Sequence, residues 1–338
     1  MKIRIATRKS NLALVQTRWV AARIREHAPD VEIEEVAVTT KGDEVLDRPL
    51  AAIGGKGLFV TEVEATLLDG RADIAVHSMK DVPHELAEGL GIVCIPERED
   101  PRDILVSPGG VELDALDAGT RVGTSSLRRS SQLRARRPDC DFRTLRGNVE
   151  TRLRKLDEGQ YGAVVLAMAG MLRLGYLGGR PHWIVPLDVC IPAVGQGALG
   201  IETRLDDERV AELLAPLEHE PSRMCVEAER AFLHLLEGSC KVPVAAHAVL
   251  EEDGARIRLD GMVASLDGTR VLSGASDCWL RGERTREARI GAARTLGLEV
   301  AEGLLQKGAR KLIEDAITET ERSLKQGNGG GSAFGKWS

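Results

Sequence analysis

A chain of 338 residues, 43% apolar and 29% charged, is long enough for two or three domains and has the composition of a globular protein. Aromatic residues make up only 3%, which forces aliphatic cores and removes the stacking platforms that single-stranded nucleic-acid binding relies on. The formal charge is -6, and no run approaches the ~20 apolar residues of a membrane span. Met1–Ala6 alternates like a strand and lacks the apolar core of an export signal, so a cytoplasmic location is expected.

In chain order, Lys2–Ala6 reads as a strand. Ser10 can cap a helix from about Asn11 to His27. Val31–Thr39 alternates as a second strand, a helix runs from about Leu58 to Leu68, and Asp73–Val76 and Gly91–Ile95 are short strands. The charged, proline-broken Glu97–Pro101 suits a crossing to a second domain. There the pattern restarts, with strand Arg121–Gly123, helix Ser126–Arg137, strand Phe142–Leu145, helix Val149–Leu156 and strand Ala163–Ala167. The Gly/Pro-rich Ile191–Gly197 suits a crossing back, after which Leu199–Pro216 rejoins the first domain. A helix over Arg223–Leu236 precedes three alternating runs, 244–250, 256–265 and 270–277, and two helices, Glu283–Gln306 and Ala309–Arg322. The fold expected is α/β, with domain 1 over 1–97 and 198–217, domain 2 over 101–192, and a small α+β domain 3 over 221–322. Residues 326–338 form a Gly/Ser-rich tail expected to be disordered.

Charge is unevenly spread. Between Arg121 and Arg154 stand ten arginines against three acids, inside an acidic protein, which points to an anionic partner. Arg134, Arg136 and Arg137 read as a solvated helix face. The six cysteines, at 94, 140, 190, 225, 240 and 278, form no C-x-x-C, and His77 and His84 form no H-E-x-x-H, so no metal site is expected.

Three polar clusters follow expected strands: Thr7-Arg8-Lys9-Ser10, His77-Ser78-Met79-Lys80-Asp81 and Gly123-Thr124-Ser125-Ser126-Leu127-Arg128-Arg129. Ligands of open α/β sheets bind at that edge, where helix N-termini favour carboxylates and phosphates and arginines add bidentate recognition. Ser10 and Ser126 serve equally well as simple helix caps. Gly54-Gly55-Lys56-Gly57 is not a nucleotide-binding P-loop.

Together with Gly54–Phe59, Leu145-Arg146-Gly147-Asn148-Val149 and Pro192–Gly197, these strings resemble the hydroxymethylbilane synthase (porphobilinogen deaminase) family, in family order from Ile3 to about Ile317. The resemblance implies two doubly wound domains similar to periplasmic binding proteins, a cleft between them, and a third domain carrying a cofactor cysteine. That cysteine is Cys240, in Gly238-Ser239-Cys240-Lys241, where the family usually has Gly-Gly-Cys. A dipyrromethane would be bound to Cys240 by a thioether. Four porphobilinogen units would be added and the linear tetrapyrrole released by hydrolysis, as a transferase of haem biosynthesis. Asp81 matches the family's catalytic aspartate, expected to be ionised so as to stabilise developing positive charge on pyrrole nitrogens. Lys80, Ser126, Arg128, Arg129 and Arg146, with Ser78, Thr124 and Gly147, match positions at the cofactor. Arg8, Ser10, Arg152 and Arg173 match positions for incoming substrate and the growing chain, and Lys56 and Phe59 a mobile loop. The family is usually monomeric.

Two other readings stand beside this one. A ligand-binding module with the same lobes would need neither Cys240 nor Asp81. A nucleic-acid protein using the arginines is opposed by the net charge and the scarce aromatics, and its affinity would fall steeply with salt.

Overall fold

The computed structural model describes residues 1–40, 60–236 and 242–327. Among them the strands form three sheets.

The first sheet takes β1 (Lys2–Arg8), β2 (Glu32–Val38), β3 (Ile74–Ser78), β4 (Leu90–Cys94) and β10 (Leu199–Arg204) in the order β2-β1-β3-β10-β4. β1 runs parallel to β2 and β3, and β10 is antiparallel to β3 and β4. Period-two alternation sends Ile3 and Ile5 to one face, against Val20 and Ile24 of α1 (Asn11–His27), and Ala6 to the other, against Val63 and Leu67 of α2 (Thr61–Leu68). Helices on both faces make this a doubly wound layer.

The second sheet repeats the plan. It takes β5 (Asp103–Val106), β6 (Arg121–Gly123), β7 (Asp141–Arg143), β8 (Ala163–Ala167) and β9 (His182–Ile184) in the order β7-β6-β8-β5-β9. β6 is parallel to β7 and β8, and β5 is antiparallel to β8 and β9. Along β8, Ala163 and Val165 face Leu133 of α3 (Leu127–Arg136), while Val164 and Leu166 face Leu153 and Leu156 of α4 (Val149–Asp157). The short α5 (Met168–Arg173) follows β8 directly. In each sheet the antiparallel strand beside the third parallel strand is the first element after a crossing from the other lobe: β5 enters after residues 95–102, and β10 returns after 185–198.

After α6 (Glu208–Leu214) and α7 (Glu220–Leu235), the antiparallel meander of β11 (Val244–Glu251), β12 (Arg256–Ala264) and β13 (Val271–Trp279) forms the third sheet. One face packs on α7, α8 (Arg286–Gln306) and α9 (Ala309–Gly327) through Phe232, Leu259, Leu296, Val300, Leu304 and Leu312. Gly261 lies flat under the Phe232 ring, where a Cβ would come within 2.5 Å of it. Of the terminal tail, Gln326 and Gly327 belong to α9, and 328–338 lie outside the described residues.

Sequence reading did not find β5, β9 or α5. The helix beginning near Leu58 is described only from Thr61. The last helix pair begins at Arg286, three residues later than expected, because Thr285 supplies the cap by accepting from the Ala288 N–H at 3.2 Å.

Candidate active site

In both doubly wound sheets the strand order reverses about one central strand, at the β1/β3 boundary in the first and the β6/β8 boundary in the second. Open sheets bind ligands at these switch points, beyond the carboxyl ends of the strands. Arg8 closes β1 and Ser10 caps α1, its hydroxyl accepting from the Ala13 N–H at 3.3 Å. Ser78 closes β3, and Lys80 and Asp81 stand in the 3₁₀ turn that follows. Thr124, Ser125 and Ser126 follow β6, with Ser126 accepting from the Arg129 N–H to cap α3. Arg146 and Gly147 follow β7, Arg152 lies on α4, and Arg173 ends α5.

The loops are fixed from below. Gln16, buried on α1, donates to the Ser78 hydroxyl at 2.9 Å. The Ser125 hydroxyl donates to the Leu145 carbonyl, joining the β6 and β7 loops. Gly147 holds φ at +116°, where a Cβ would meet Thr151 at 2.5 Å, so this position requires glycine. Asn148 then caps α4 through the Thr151 N–H at 2.9 Å.

The two halves meet here. Asn11 at the start of α1 donates to Glu150 of α4 at 2.9 Å. The Lys80 ammonium, open to the space between the lobes, is depressed to about 8. Crowding by the surrounding protein is the main cause; Arg129 and Arg128 from the opposite lobe add to it, while Asp81 and Asp103 oppose it. Arg152 is depressed to about 10 by burial, with Arg129 and Arg146 adding, and Arg173 also to about 10 by burial. Burial alone lowers Arg146. The Nε–H groups of Arg128 and Arg146 are buried without any hydrogen-bond partner. Cations from both lobes thus share one poorly solvated field whose positive charge the protein does not fully offset. Such a field is costly unless an anion occupies it.

The charge excess of the sequence is only partly this field. Arg136 is paired with Asp114, Arg137 with Asp139, Arg143 with Asp141 and Arg154 with Glu158. Arg137 is no solvated helix residue: it also donates to the carbonyls of Leu113 and Leu116 at 2.6 and 2.7 Å. Arg134 is half-buried and lies over the Phe142 ring, 5.6 Å from its centre. Arg128 and Arg129 both grip Asp103 at 2.8 Å, a fully buried carboxylate that sequence reading passed over.

Cys240, Lys56 and Phe59 lie outside the described residues. The chain entering the Cys240 segment is nonetheless placed: Arg230 of α7 donates to the carbonyls of Val82 at 3.1 Å and Pro83 at 2.8 Å, directly after Asp81. Leu236 and Val242, on either side of the segment, are buried. The other five cysteines are unpaired. Burial pushes Cys94, Cys190 and Cys225 up to about 12 and raises Cys140 and Cys278, so none is a poised thiolate. Among the described residues no cluster of three or more His, Cys, Asp or Glu could hold a metal, and no helix is long and apolar enough to cross a membrane.

The family model for the dipyrromethane cofactor binding domain of porphobilinogen deaminase matches residues 3–212, and that for the porphobilinogen deaminase C-terminal domain matches residues 223–306. Porphobilinogen deaminases of two Nitratidesulfovibrio vulgaris strains, Hildenborough and DP4, are each 52% identical over 312 residues, 92% of this chain and 95% of theirs. Among solved structures, the VFT2 periplasmic domain of Bordetella pertussis BvgS aligns with 63% of this chain and 85% of its own length, at 16% identity and a TM-score of 0.37.

Proposed function

The chain belongs to the porphobilinogen deaminase family, and on that premise we propose that it condenses four porphobilinogen molecules onto a dipyrromethane held by Cys240 and releases linear hydroxymethylbilane. The observation that carries the reading is the field of partly buried cations at the two switch points, with the Arg128 and Arg146 Nε–H groups left unpartnered. Each pyrrole of the substrate and of the cofactor bears an acetate and a propionate, so the occupant of this space is a polyanion that such donors fit. Lys80, Ser126, Arg128, Arg129 and Arg146 would hold the cofactor's carboxylates, with Ser78, Thr124 and Gly147 shaping the loops beneath. Bound there, the dipyrromethane supplies the nucleophilic pyrrole carbon from which the chain grows.

The protein's own contribution is binding and electrostatics. Asp81, at the first-lobe switch point, is close enough to Lys80 to oppose its depression. Its carboxylate would accept a pyrrole N–H and stabilise the positive charge that develops as ammonia leaves the substrate, an effect that strengthens where water is excluded. Arg8, Ser10, Arg152 and Arg173 would receive the carboxylates of incoming substrate and of the lengthening chain. Lys56 and Phe59 would cover the cleft, a role resting on the resemblance alone. Five unpaired cysteines, four of them buried, suit a reducing cytoplasm, and we place the chain there as a monomer, which light scattering of the purified protein tests.

The deciding measurement is the intact mass of the denatured protein beside a Cys240→Ser variant. An excess equal to two porphobilinogen-derived rings, absent from the variant, is expected. No excess after incubation with porphobilinogen would return the chain to a reversible anion binder with an ordinary thiol at Cys240.

A further inference from the structure

Asp103 opens β5, the first strand after the crossing into the second lobe. Its carboxylate is fully buried and every bond to it is long-range. Arg129 donates through Nε at 3.1 Å and Nη2 at 2.8 Å, both to Oδ1. Arg128 reaches Oδ2 at 2.8 Å. Gln196, on the crossing back, donates Nε2 to Oδ1 at 2.8 Å, and the Cys190 thiol lies 3.5 Å from Oδ2. Burial works against the charge on Asp103, but Arg128 and Arg129 outweigh it and hold the carboxyl well below the usual range.

Here one carboxylate holds two buried guanidiniums, and the surplus positive charge sits beside Lys80 and Arg152. Both heads are also tied to the backbone: Arg129 Nη1 donates to the Val165 carbonyl at 3.1 Å, and Arg128 Nη1, the nitrogen that reaches Asp103, donates to the Ile191 carbonyl at 2.7 Å. Arg128 Nε–H is left buried and unused. Two adjacent helix residues point about 100° apart, so a shared anchor beneath the start of α3 is what brings both heads to one place.

We propose that Asp103 is a positioning residue for anion capture: it holds the guanidiniums of Arg128 and Arg129 together, immobile and jointly cationic, at the second-lobe switch point. This rests on the reading of the cleft as the dipyrromethane site. Asp103 touches neither cofactor nor substrate and acts through the two arginines. Two mobile, mutually repelling guanidiniums would have to be ordered by the ligand itself, at the expense of affinity.

The test follows mass gain at Cys240 during incubation with porphobilinogen, in the wild type, Asp103→Asn, Asp103→Glu and Leu153→Ala. The last thins the second-lobe core without removing a charge or a hydrogen-bonding group and calibrates what destabilisation alone does. Loading slowed at least tenfold in Asp103→Asn, in protein whose circular dichroism matches wild type, with normal loading in Leu153→Ala, is the expected result. Should Asp103→Asn fail to fold, Asp103→Glu keeps the charge but displaces it by one methylene, and slowed loading is expected there. Wild-type loading in the Asp103 variants, or equal slowing in Leu153→Ala at the same loss of melting temperature, overturns the proposal. A wild-type chain that never gains mass instead overturns the cofactor reading on which it rests.

Discussion

Replacing Arg146 by Met should act with opposite signs on the empty chain and on cofactor capture. In the empty chain the Arg146 Nε–H is buried without a partner, and burial alone depresses the guanidinium. An unsatisfied buried donor costs about 1–3 kcal/mol, so methionine, which keeps an unbranched apolar stem, should relieve a cost of that order. In a chain of 338 residues, at about 2.1 cal/mol/K of unfolding entropy per residue, that is a rise in melting temperature of roughly 1–2 °C per kcal/mol. The same substitution removes a charge-assisted hydrogen bond to a cofactor carboxylate, worth about 1.5–3 kcal/mol, or roughly a 10- to 150-fold loss of affinity. The stability arm uses Cys240→Ser with and without Arg146→Met, so that neither chain can tether the cofactor. The loading arm follows mass gain in Arg146→Met alone. A melting temperature that falls in the first arm would mean that Arg146 already has a protein partner; unchanged loading in the second would remove it from the anion site.

Asp81→Asn keeps the shape and loses the charge. On fully loaded protein kcat should drop by about two to three orders of magnitude, as when a preorganised electrostatic group is removed, with KM changed only a few-fold. A kcat within tenfold of wild type would displace Asp81 from the reaction. Lys80 sets a pH dependence of definite sign. Its folded value of about 8 lies below the ordinary 10.5, so between those limits the unfolded chain binds more protons. Its destabilising effect on the empty chain is therefore present in full below about pH 8 and fades as pH rises towards 10.5. Anion capture runs the other way: the loading rate at Cys240 should fall above pH 8 by up to about tenfold per unit, and Lys80→Arg should abolish the fall. An identical profile in that variant would assign the titration to another group.

Long periodic segments were legible because one chemical pattern decides them. The 3.6-residue spacing of α1 and the alternation of Ile257 and Leu259 with charged neighbours in β12 each declare which side faces the core. β5 was missed for the opposite reason. Asp103–Val106 is four residues long and buried throughout, so it shows no alternation, and a short apolar run has no period to read. The caps at Ser10 and Ser126 were visible because capping is local. Asp103 was not, because its partners stand 26 and 93 residues away. Counting arginines pointed to an anionic partner but overstated the cations free to meet it. The pairing of Arg136 with Asp114, 22 residues off, is a fact of the fold, and only tertiary structure separates it from the unpartnered Arg146 Nε.

The exchange of antiparallel strands between the lobes explains why the anchor stands where it does. Each lobe completes its sheet with a strand delivered by a crossing, and the two crossings run side by side, the Glu99 N–H donating to the Gly197 carbonyl at 3.3 Å. They are pressed together: Gly197 holds φ at +88°, with the Glu99 carbonyl oxygen 2.3 Å from where a Cβ would be, and a Cβ on Gly195 would meet Met79, next to Lys80, at 2.8 Å. The third domain locks the same place through Glu229, fully buried, which takes Arg98 from one crossing at 2.6 Å and the Gly195 N–H from the other at 2.7 Å. Gln196 ties the crossings to Asp103. Contact between α1 and the second lobe includes the exposed Asn11–Glu150 bond, a link whose loss costs only about 0.5–1.5 kcal/mol. An opening of the lobes that kept these bonds would pivot at the crossings. Lys80, Asp81 and the Arg128–Arg129 pair stand next to that pivot, so their spacing is the one such an opening would change least.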